Sequence, residues 1–179
     1  MDTKYIALLR GINVGTAKRV SMEELRGLVT DLGFEDVKTL LNSGNVVFAG
    51  KKRKTESIAA DLEKALVEAT GVSSKTLVLT EEDFGKVLEE NSLTTVSDNH
   101  SKLLVAVYYD VADRAKLEPL LKDDWTPEAL AIGSRAAYIW CANGILESRL
   151  VHTIGKLLGE RSTTRNWATL SKIAALVGE

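Results

Sequence analysis

The segment between residues 10 and 20 carries residue types that bind anions in proteins. It contains three cations, Arg10, Lys18 and Arg19, together with two glycines and no acidic residue. A guanidinium group can hold a phosphate or carboxylate with two hydrogen bonds, and glycine lets backbone N–H groups approach an anion closely. The segment is therefore predicted to bind an anionic group. The predicted contact residues are Arg10, Gly11, Asn13 and Gly15.

The glycines match neither of the two common nucleotide-binding motifs. A Walker loop requires Gly-x4-Gly-Lys-Ser/Thr, whereas only three residues separate Gly11 from Gly15 and no lysine follows directly. The dinucleotide fingerprint Gly-x-Gly-x-x-Gly is also absent. A structural alternative stays open, in which the glycines permit a tight path, Asn13 caps backbone groups, and Ile12 and Val14 anchor the segment in the core.

Two further polar clusters could contribute to the same site. Asparagine and glycine in Asn42-Ser43-Gly44-Asn45 are typical of a hairpin turn, which is the structural alternative for that cluster. In the cluster from Ser162 to Trp167, a threonine or Asn166 could cap the last helix, and Arg165 could stack on Trp167, pair with an acid or face a ligand. The residues predicted to bind the ligand in these clusters are Asn42, Ser43, Asn45, Arg165 and Asn166.

The first half of the chain predicts the elements that would position these residues. Ser21 and Glu24 form a capping box at the start of a helix, and apolar residues then follow at helical spacing. The polar cluster at residues 42–45 separates two apolar runs, as in a hairpin. The predicted strands are Tyr5–Leu9, Val37–Leu41, Asn45–Phe48 and Thr76–Leu79, and helices are predicted to begin near Ser21, Thr55 and Thr80.

The order strand, helix, strand, strand, helix, strand is that of a split βαβ, ferredoxin-like fold with sheet order 4-1-3-2. In this topology the connection after the first strand and the hairpin between strands two and three lie at the same end of the sheet. We therefore expect Arg10–Arg19 and Asn42–Asn45 to be spatial neighbours. The basic stretch Lys51–Lys54 follows strand three and is expected at the opposite end.

The second half reads as another α+β arrangement. The polar, aperiodic stretch Leu93–Ser101 predicts a linker, which divides the chain into a ferredoxin-like half (residues 1–92), the linker (93–101) and a second half packed on the first (102–179). Strands are expected near residues 103–109, 129–132 and 136–141, and helices near residues 112–121, 146–158 and 167–177. The predicted fold class is α+β, with a βαββα-type second half and a C-terminal helix.

Composition also limits the partners, cofactors and cellular locations that are expected for the protein. The formal net charge is −2, so any anionic partner must be met by a local patch rather than by the whole molecule. His100, His152 and the single Cys141 are too few and too scattered for a zinc site, and no metal or cofactor is predicted. No apolar run approaches the length of a membrane span, and no signal core precedes the first strand, so a cytoplasmic protein is expected.

Three segments resemble those of a known family. Leu9–Gly15, Asn42–Phe48 and Thr164–Trp167 are similar, in this order, to the signature segments of the domain of unknown function 1697 family, whose members are mostly bacterial. The resemblance spans nearly the whole chain. It implies an α+β fold with ferredoxin-like character and directs attention to these three segments, and it implies no particular activity.

The favoured hypothesis is binding of a small anionic ligand, possibly one that bears a phosphate, at a composite site. No general base or nucleophile lies among the predicted site residues, so binding is favoured over catalysis. One alternative is that the three segments form a structural lock in a protein-interaction module. A third is weak nucleic-acid binding through the basic stretches, although strand three has one aromatic residue, Phe48, and lacks the stacking platform of RNA-recognition modules.

Overall fold

The structure is a computed structural model that describes residues 1–179. The chain divides into two compact units, one formed by Met1–Phe84 with Lys172–Glu179 and the other by Gly85–Ser171. The sequence analysis placed the division at residues 93–101, but these residues lie within the second unit. The last eight residues group with the first unit rather than the second.

The first unit has the predicted ferredoxin-like topology. Its four strands form an antiparallel sheet in the order β2-β3-β1-β4, which confirms the predicted order. In sequence, the elements of this unit are β1 (Thr3–Leu9), α1 (Met22–Asp31), β2 (Glu35–Leu40), β3 (Asn45–Gly50), α2 (Thr55–Thr70), β4 (Thr76–Thr80) and α3 (Glu81–Glu89), the last of which continues into the second unit.

Local sequence signals account for the ends of the helices in this unit. The Ser21 hydroxyl accepts a hydrogen bond from the Glu24 N–H (3.0 Å), as the capping box predicts. α2 ends at Gly71, whose φ of 72° is left-handed and suits glycine. The helices then bury an apolar stripe against one face of the sheet, where Leu25, Leu62 and Phe48 belong to a single core cluster.

The second unit repeats this strand order. Its sheet runs β6-β7-β5-β8, so its first strand is again central and its fourth strand again pairs with the first. The elements are β5 (Leu103–Tyr108), α4 (Arg114–Leu117), β6 (Ala129–Ile132), β7 (Ala136–Trp140), α5 (Arg149–Leu158), β8 (Ser162–Asn166) and α6 (Trp167–Val177), the last of which continues into the first unit.

The prediction for the second half was incomplete at one strand and one helix. Ser162–Asn166 was interpreted only as the start of the last helix, but it forms β8 and pairs with β5 along Tyr108–Leu104. The single helix expected over residues 112–121 is instead the short α4 flanked by two 3-10 segments, Val111–Asp113 and Glu118–Lys122. Pro119 lacks an N–H group, which disfavours a continuous α-helix at this point.

Helices of the second unit cover one face of its sheet. Alternate residues of β5 and β7, among them Ala106 and Ile139, pack with Leu150 and Ile154 of α5 in one core cluster. None of the helices in the chain combines the length and the apolarity that a membrane span needs.

Candidate functional site

The connection from β1 to α1 is a small hairpin, which we call the basic loop (residues 10–20). The N–H of Asn13 donates to the carbonyl of Lys18 (2.9 Å), and the N–H of Ala17 donates to the carbonyl of Val14 (3.3 Å). Gly15 and Thr16 form the corner of this hairpin. Gly15 has a φ of 60°, whereas Thr16 is not left-handed, which is the pattern of a type II′ turn.

The sequence of the basic loop explains this conformation. Four of its residues are left-handed, namely Gly11 (70°), Asn13 (53°), Gly15 (60°) and Lys18 (52°). Glycine adopts positive φ without a steric penalty, and asparagine tolerates it better than most residues. The two glycines and the asparagine thus let an eleven-residue connection fold into a compact hairpin instead of an open loop.

The side chain of Asn13 fixes the basic loop to its surroundings. Its Nδ2 donates to the carbonyls of Val20 and Asn42, both at 2.8 Å, and its Oδ1 accepts from the N–H of Val20 (2.8 Å). Both N–H groups of the amide are therefore used within the chain. In the structure Asn13 shapes the loop, and its amide donors are not available to a ligand.

The basic loop and the turn between β2 and β3 are neighbours, as the topology predicted. Besides the bond from Asn13 to Asn42, the N–H of Leu9 donates to the carbonyl of Gly44 (2.9 Å). Gly44 has a φ of 90°, and a Cβ atom built there would lie 2.9 Å from both Ile12 Cδ1 and Leu9 Cβ. Glycine is therefore required at this close approach of the two segments.

Of the other polar residues of this turn, one supports the local backbone and two are exposed. Asn45 is only 1% exposed, and its Nδ2 donates to the carbonyl of Leu40 (2.8 Å) and to the Ser43 hydroxyl (3.0 Å). Asn42 and Ser43 are exposed at the tip of the turn. Asn45, like Asn13, thus supports the local backbone.

A residue that the sequence analysis missed supports the start of the basic loop. Ser74, which lies just before β4, is buried; its hydroxyl accepts from the N–H of Arg10 (3.1 Å) and donates to the carbonyl of Arg10 (2.8 Å). The Arg10 N–H also donates to the carbonyl of Lys75 (3.0 Å). The Arg10 side chain is half-buried. The antiparallel pairing of β1 with β4 was the signal that could have placed Ser74 here.

Two cations of the basic loop remain exposed and are held only by backbone carbonyls. Lys18 Nζ donates to the carbonyl of Ser73 (3.3 Å), and Arg19 donates to the carbonyl of Gly15 (3.1 Å). Neither forms an ion pair with a carboxylate of the chain. The N–H groups of Gly15 and Thr16 meet no acceptor in the chain either. The tip thus presents two charges and two backbone donors to solvent.

Arg165 and Asn166 lie on β8 of the second unit. Arg165 is 8% exposed, and its guanidinium donates to the Thr163 hydroxyl (3.2 Å) and the Thr164 carbonyl (2.8 Å). Burial lowers the pKa of Arg165 to about 10, against an opposing effect of Tyr109, and the group stays charged at neutral pH. The Asn166 Oδ1 accepts from the N–H of Thr169 (2.9 Å) and caps α6. Their contribution to ligand binding stays a prediction.

The Lys51–Lys54 segment connects β3 to α2 and so lies at the other end of β3 from the turn at residues 41–44. The buried Tyr5 hydroxyl accepts from the N–H of Arg53 (2.9 Å) and donates to the carbonyl of Lys51 (3.1 Å). The Arg53 side chain pairs with Asp61 (2.6 Å). One of the four cations in this segment is therefore already neutralised.

Two other kinds of site, a cysteine nucleophile and a metal site, find no support in the structure. Cys141 is fully buried, and burial raises the pKa of its thiol to about 11, which disfavours a thiolate nucleophile. No three His, Cys, Asp or Glu side chains are grouped so that they could hold a metal ion. The basic loop itself has no acid, histidine or cysteine, and its three cations suit the binding of an anion.

Comparison with known proteins agrees with the fold. No curated protein matches the chain. A solved structure, that of the conserved bacterial protein SP0830 from Streptococcus pneumoniae, is similar with a TM-score of 0.73 and 25% sequence identity, and the match covers 99% of each chain. A model of a family described as protein of unknown function, DUF1697, matches residues 2–138. The chain therefore belongs to the DUF1697 family.

Proposed function

We propose that the protein binds a small anionic ligand, with a phosphate group as the simplest candidate, at the tip of the basic loop. The observation that carries this proposal is the pair of exposed cations without an ion-pair partner, which lie beside two backbone N–H groups that meet no acceptor. Such N–H groups are partial positive charges that favour anions. Because hydrogen bonds of Asn13 and Ser74 fix the loop, little conformational entropy would be lost on binding.

The proposal assigns different tasks to the residues in and around the basic loop. Lys18 and Arg19 supply charge, and the N–H groups of Gly15 and Thr16 supply directed donors. Asn13 and Asn45 hold the backbone that carries them. Lys18, Arg19 and Thr16 were not among the predicted contact residues, because the sequence did not show which side of the loop would remain unoccupied.

The test is a titration with sodium pyrophosphate by isothermal titration calorimetry. We expect the double variant Lys18→Gln/Arg19→Gln to bind at least about tenfold more weakly than the wild type, because each exposed charge is worth about 1 kcal/mol at contact distance in water. Lys64→Gln, at an exposed lysine on α2, is the matched control and should bind like the wild type. Equal affinity of the double variant and the wild type would refute the proposal.

A second candidate function is favoured by the hydrogen bonds that Asn13 and Asn45 make. The amide N–H groups of Asn13 and Asn45 donate to backbone or side-chain oxygens of the chain. This is expected if the signature segments act as a structural lock in a protein-interaction module. This candidate predicts no pyrophosphate binding by the wild type. It also predicts that Lys18→Gln/Arg19→Gln has no effect on any function, since neither cation has a side-chain partner.

The proposal includes the source and the cellular location of the protein. A bacterial origin is supported by the bacterial source of the similar structure. A cytoplasmic location is supported by the single cysteine, Cys141, which is buried and forms no disulfide within the chain.

A further inference from the structure

The edges of the two sheets differ in how they are protected from pairing with another strand. An edge strand presents N–H and C=O groups to solvent, and proteins block such edges with charges, bulges or groups that cover them. The sheets have four edge strands, β2 and β4 in the first unit and β6 and β8 in the second. Three of these edges carry a charge, a bulge or a covering side chain, and β6 carries none of the three.

The protection of the other three edges can be identified strand by strand. β2 contains three charged side chains, and its register with β3 shifts near its start. In β4, the N–H of Thr76 donates to the carboxylate of Glu63 (2.8 Å). In β8, the carbonyl of Thr164 accepts from the guanidinium of Arg165 (2.8 Å). Side chains of the chain itself thus occupy backbone groups at two edges, and charge and irregular pairing protect the third.

The edge of β6 presents the backbone groups of Leu130 and Ile132. The N–H of Gly133 donates to the carbonyl of Ala136 on β7 (2.8 Å), so the backbone of Gly133 faces β7. Facing alternates along an antiparallel strand, so the backbone of Ala131 also faces β7, and those of Leu130 and Ile132 face away. The N–H and C=O groups of these two residues meet no partner in the chain. All residues of β6 are partly exposed.

The edge of β6 is complementary to the same edge of a second copy of the chain. In an antiparallel pair with a two-fold axis at Ala131, Leu130 of one copy lies opposite Ile132 of the other. Each of these pairs exchanges two hydrogen bonds, so every outward N–H and C=O of β6 gains a partner. At the axis, alanine faces alanine at a Cα separation of about 4.5 Å, a distance that small side chains allow.

Apolar contacts accompany these hydrogen bonds. Leu130 and Ile132 pack at the border of the core cluster of the second unit and are only half-buried. Leu121, which is 53% exposed, borders the same cavity as Leu130. In the antiparallel pair, Leu130 packs beside Ile132 of the second copy, as cross-strand neighbours do. The apolar cluster would therefore continue across the axis.

The charges beside β6 favour the antiparallel over the parallel arrangement. Asp123 and Asp124 precede β6 and border the cavity beside its first residues. After β6, the turn to β7 holds Arg135, and the carboxylate of Glu90 accepts from the N–H (2.6 Å) and the hydroxyl (2.8 Å) of Ser134. Antiparallel pairing places the acidic start of one strand beside this turn, where both signs of charge are present. Parallel pairing would place two acidic starts side by side, where like charges repel.

We propose that β6 pairs antiparallel with β6 of a second copy of this chain, so that the sheets of two second units join into one continuous sheet. Because β6 has only four residues, the contact is small. Small interfaces are typical of weak, transient complexes, and we expect a dissociation constant of about 100 µM.

The test is sedimentation velocity of the full chain from about 10 to about 500 µM, a range that brackets the expected constant. The variant is Ala131→Lys, which brings two ammonium groups together at the axis and leaves the backbone bonds to β7 in place. Ala60→Lys, at an exposed position on α2, is the control with the same change of charge. Circular dichroism melting checks that both variants fold. Amide hydrogen exchange of the wild type, followed by NMR over the same concentrations, requires no variant.

We expect the wild type and Ala60→Lys to change from monomer to dimer alike over this range. Ala131→Lys should dimerise at least about fivefold more weakly, since like charges meet at the axis. Exchange of the Leu130 and Ile132 amide protons should slow as the concentration rises, whereas that of the Thr16 amide should not change.

Three results would overturn the proposal. One is a wild type that stays monomeric over the whole range. Another is a dimer that Ala131→Lys does not weaken, or whose formation leaves exchange at Leu130 and Ile132 unchanged, because its contact then lies elsewhere. The third is a monomeric wild type that binds a fluorescein-labelled peptide of repeated Thr-Val units more tightly than Ala131→Lys does, which would assign the edge to a strand of another protein.

Discussion

At the scale of single residues, Asn13 determines the shape of the candidate site. Its amide makes three hydrogen bonds at 2.8 Å, two of them with the backbone of Val20 and one with the carbonyl of Asn42. The side chain thus joins both ends of the basic loop to the turn between β2 and β3. Sequence analysis identified the residue but assigned it to the ligand, because a sequence does not show whether an amide is already satisfied by the fold.

Asn13→Ala is predicted to lower the free energy of unfolding by about 2 to 3 kcal/mol, because several partly buried hydrogen bonds are lost and alanine tolerates a positive φ poorly. Urea unfolding monitored by circular dichroism measures this loss. Asn42→Ala is the matched control, since Asn42 contributes its backbone carbonyl, which the substitution retains. Its effect should stay within about 0.5 kcal/mol. Equal losses in the two variants would contradict the role of the Asn13 side chain.

Asp113 gives the second unit a stability that depends on pH. Its buried carboxylate accepts from Nε (2.7 Å) and a terminal nitrogen (2.9 Å) of Arg161, and Lys116 lies 3.3 Å away. The hydrogen bonds from Arg161, more than those from Lys116, hold the pKa of Asp113 below its usual range despite burial. The pair therefore stabilises the folded state fully above about pH 4, the unfolded pKa, and the contribution is lost as the pH falls through the lower pKa of the folded state.

Asp113→Asn should accordingly be less stable than the wild type at neutral pH, and the difference should shrink as the pH falls below about 4. Urea unfolding from neutral to acidic pH measures both proteins, with Asp98→Asn at an exposed position as the control. A difference that stays constant over this range would show that the Asp113 charge is not what stabilises the fold.

At the scale of elements, Gly15 and Gly44 occupy their turns for different reasons. Gly15 forms the tip of the basic loop, where φ is 60° and no atom would contact an added Cβ. At Gly44 φ is 90°, and an added Cβ would clash with Ile12 and Leu9 at 2.9 Å. The first position needs glycine only for its conformation, whereas the second also needs it for space.

Gly44→Ala is therefore predicted to cost about 2 to 4 kcal/mol of unfolding free energy, as the sum of backbone strain and overpacking. Gly15→Ala should cost about 1 kcal/mol, from strain alone. Chemical denaturation of the two variants side by side provides the comparison. If Gly15→Ala proved as costly as Gly44→Ala, the close approach of the basic loop to the β2–β3 turn would not be the cause.

Comparison of the elements also shows which strands the sequence patterns predict and which they miss. Three of the four strands of the first unit are mainly apolar runs. The strand order and the proximity of residues 10–20 to residues 42–45 then followed from the topology. β8 was missed because Ser162–Asn166 is short and polar, which is typical of a helix cap. Its strand character comes from pairing with β5, a contact distant in sequence.

At the scale of the whole molecule, two units with the same strand order carry a small net charge of −2. Such a balance gives no general attraction to anions, so binding has to come from local groups. The basic loop concentrates exposed Lys18 and Arg19 next to free backbone donors, while Arg53 in the Lys51–Lys54 segment is neutralised by Asp61. Under the proposal, anion binding lies at the end of the first sheet where Lys18 and Arg19 stand beside backbone donors.

The most direct measurement of this claim is a two-dimensional ¹H–¹⁵N spectrum of the full chain recorded during titration with sodium pyrophosphate. The account predicts saturable shifts of the Gly15 and Thr16 amide signals, because these N–H groups would gain an acceptor that they lack in the structure. Lys18→Gln/Arg19→Gln should weaken the response without changing the starting spectrum beyond the loop. Unchanged Gly15 and Thr16 signals, or shifts confined to Lys51–Lys54, would contradict the account.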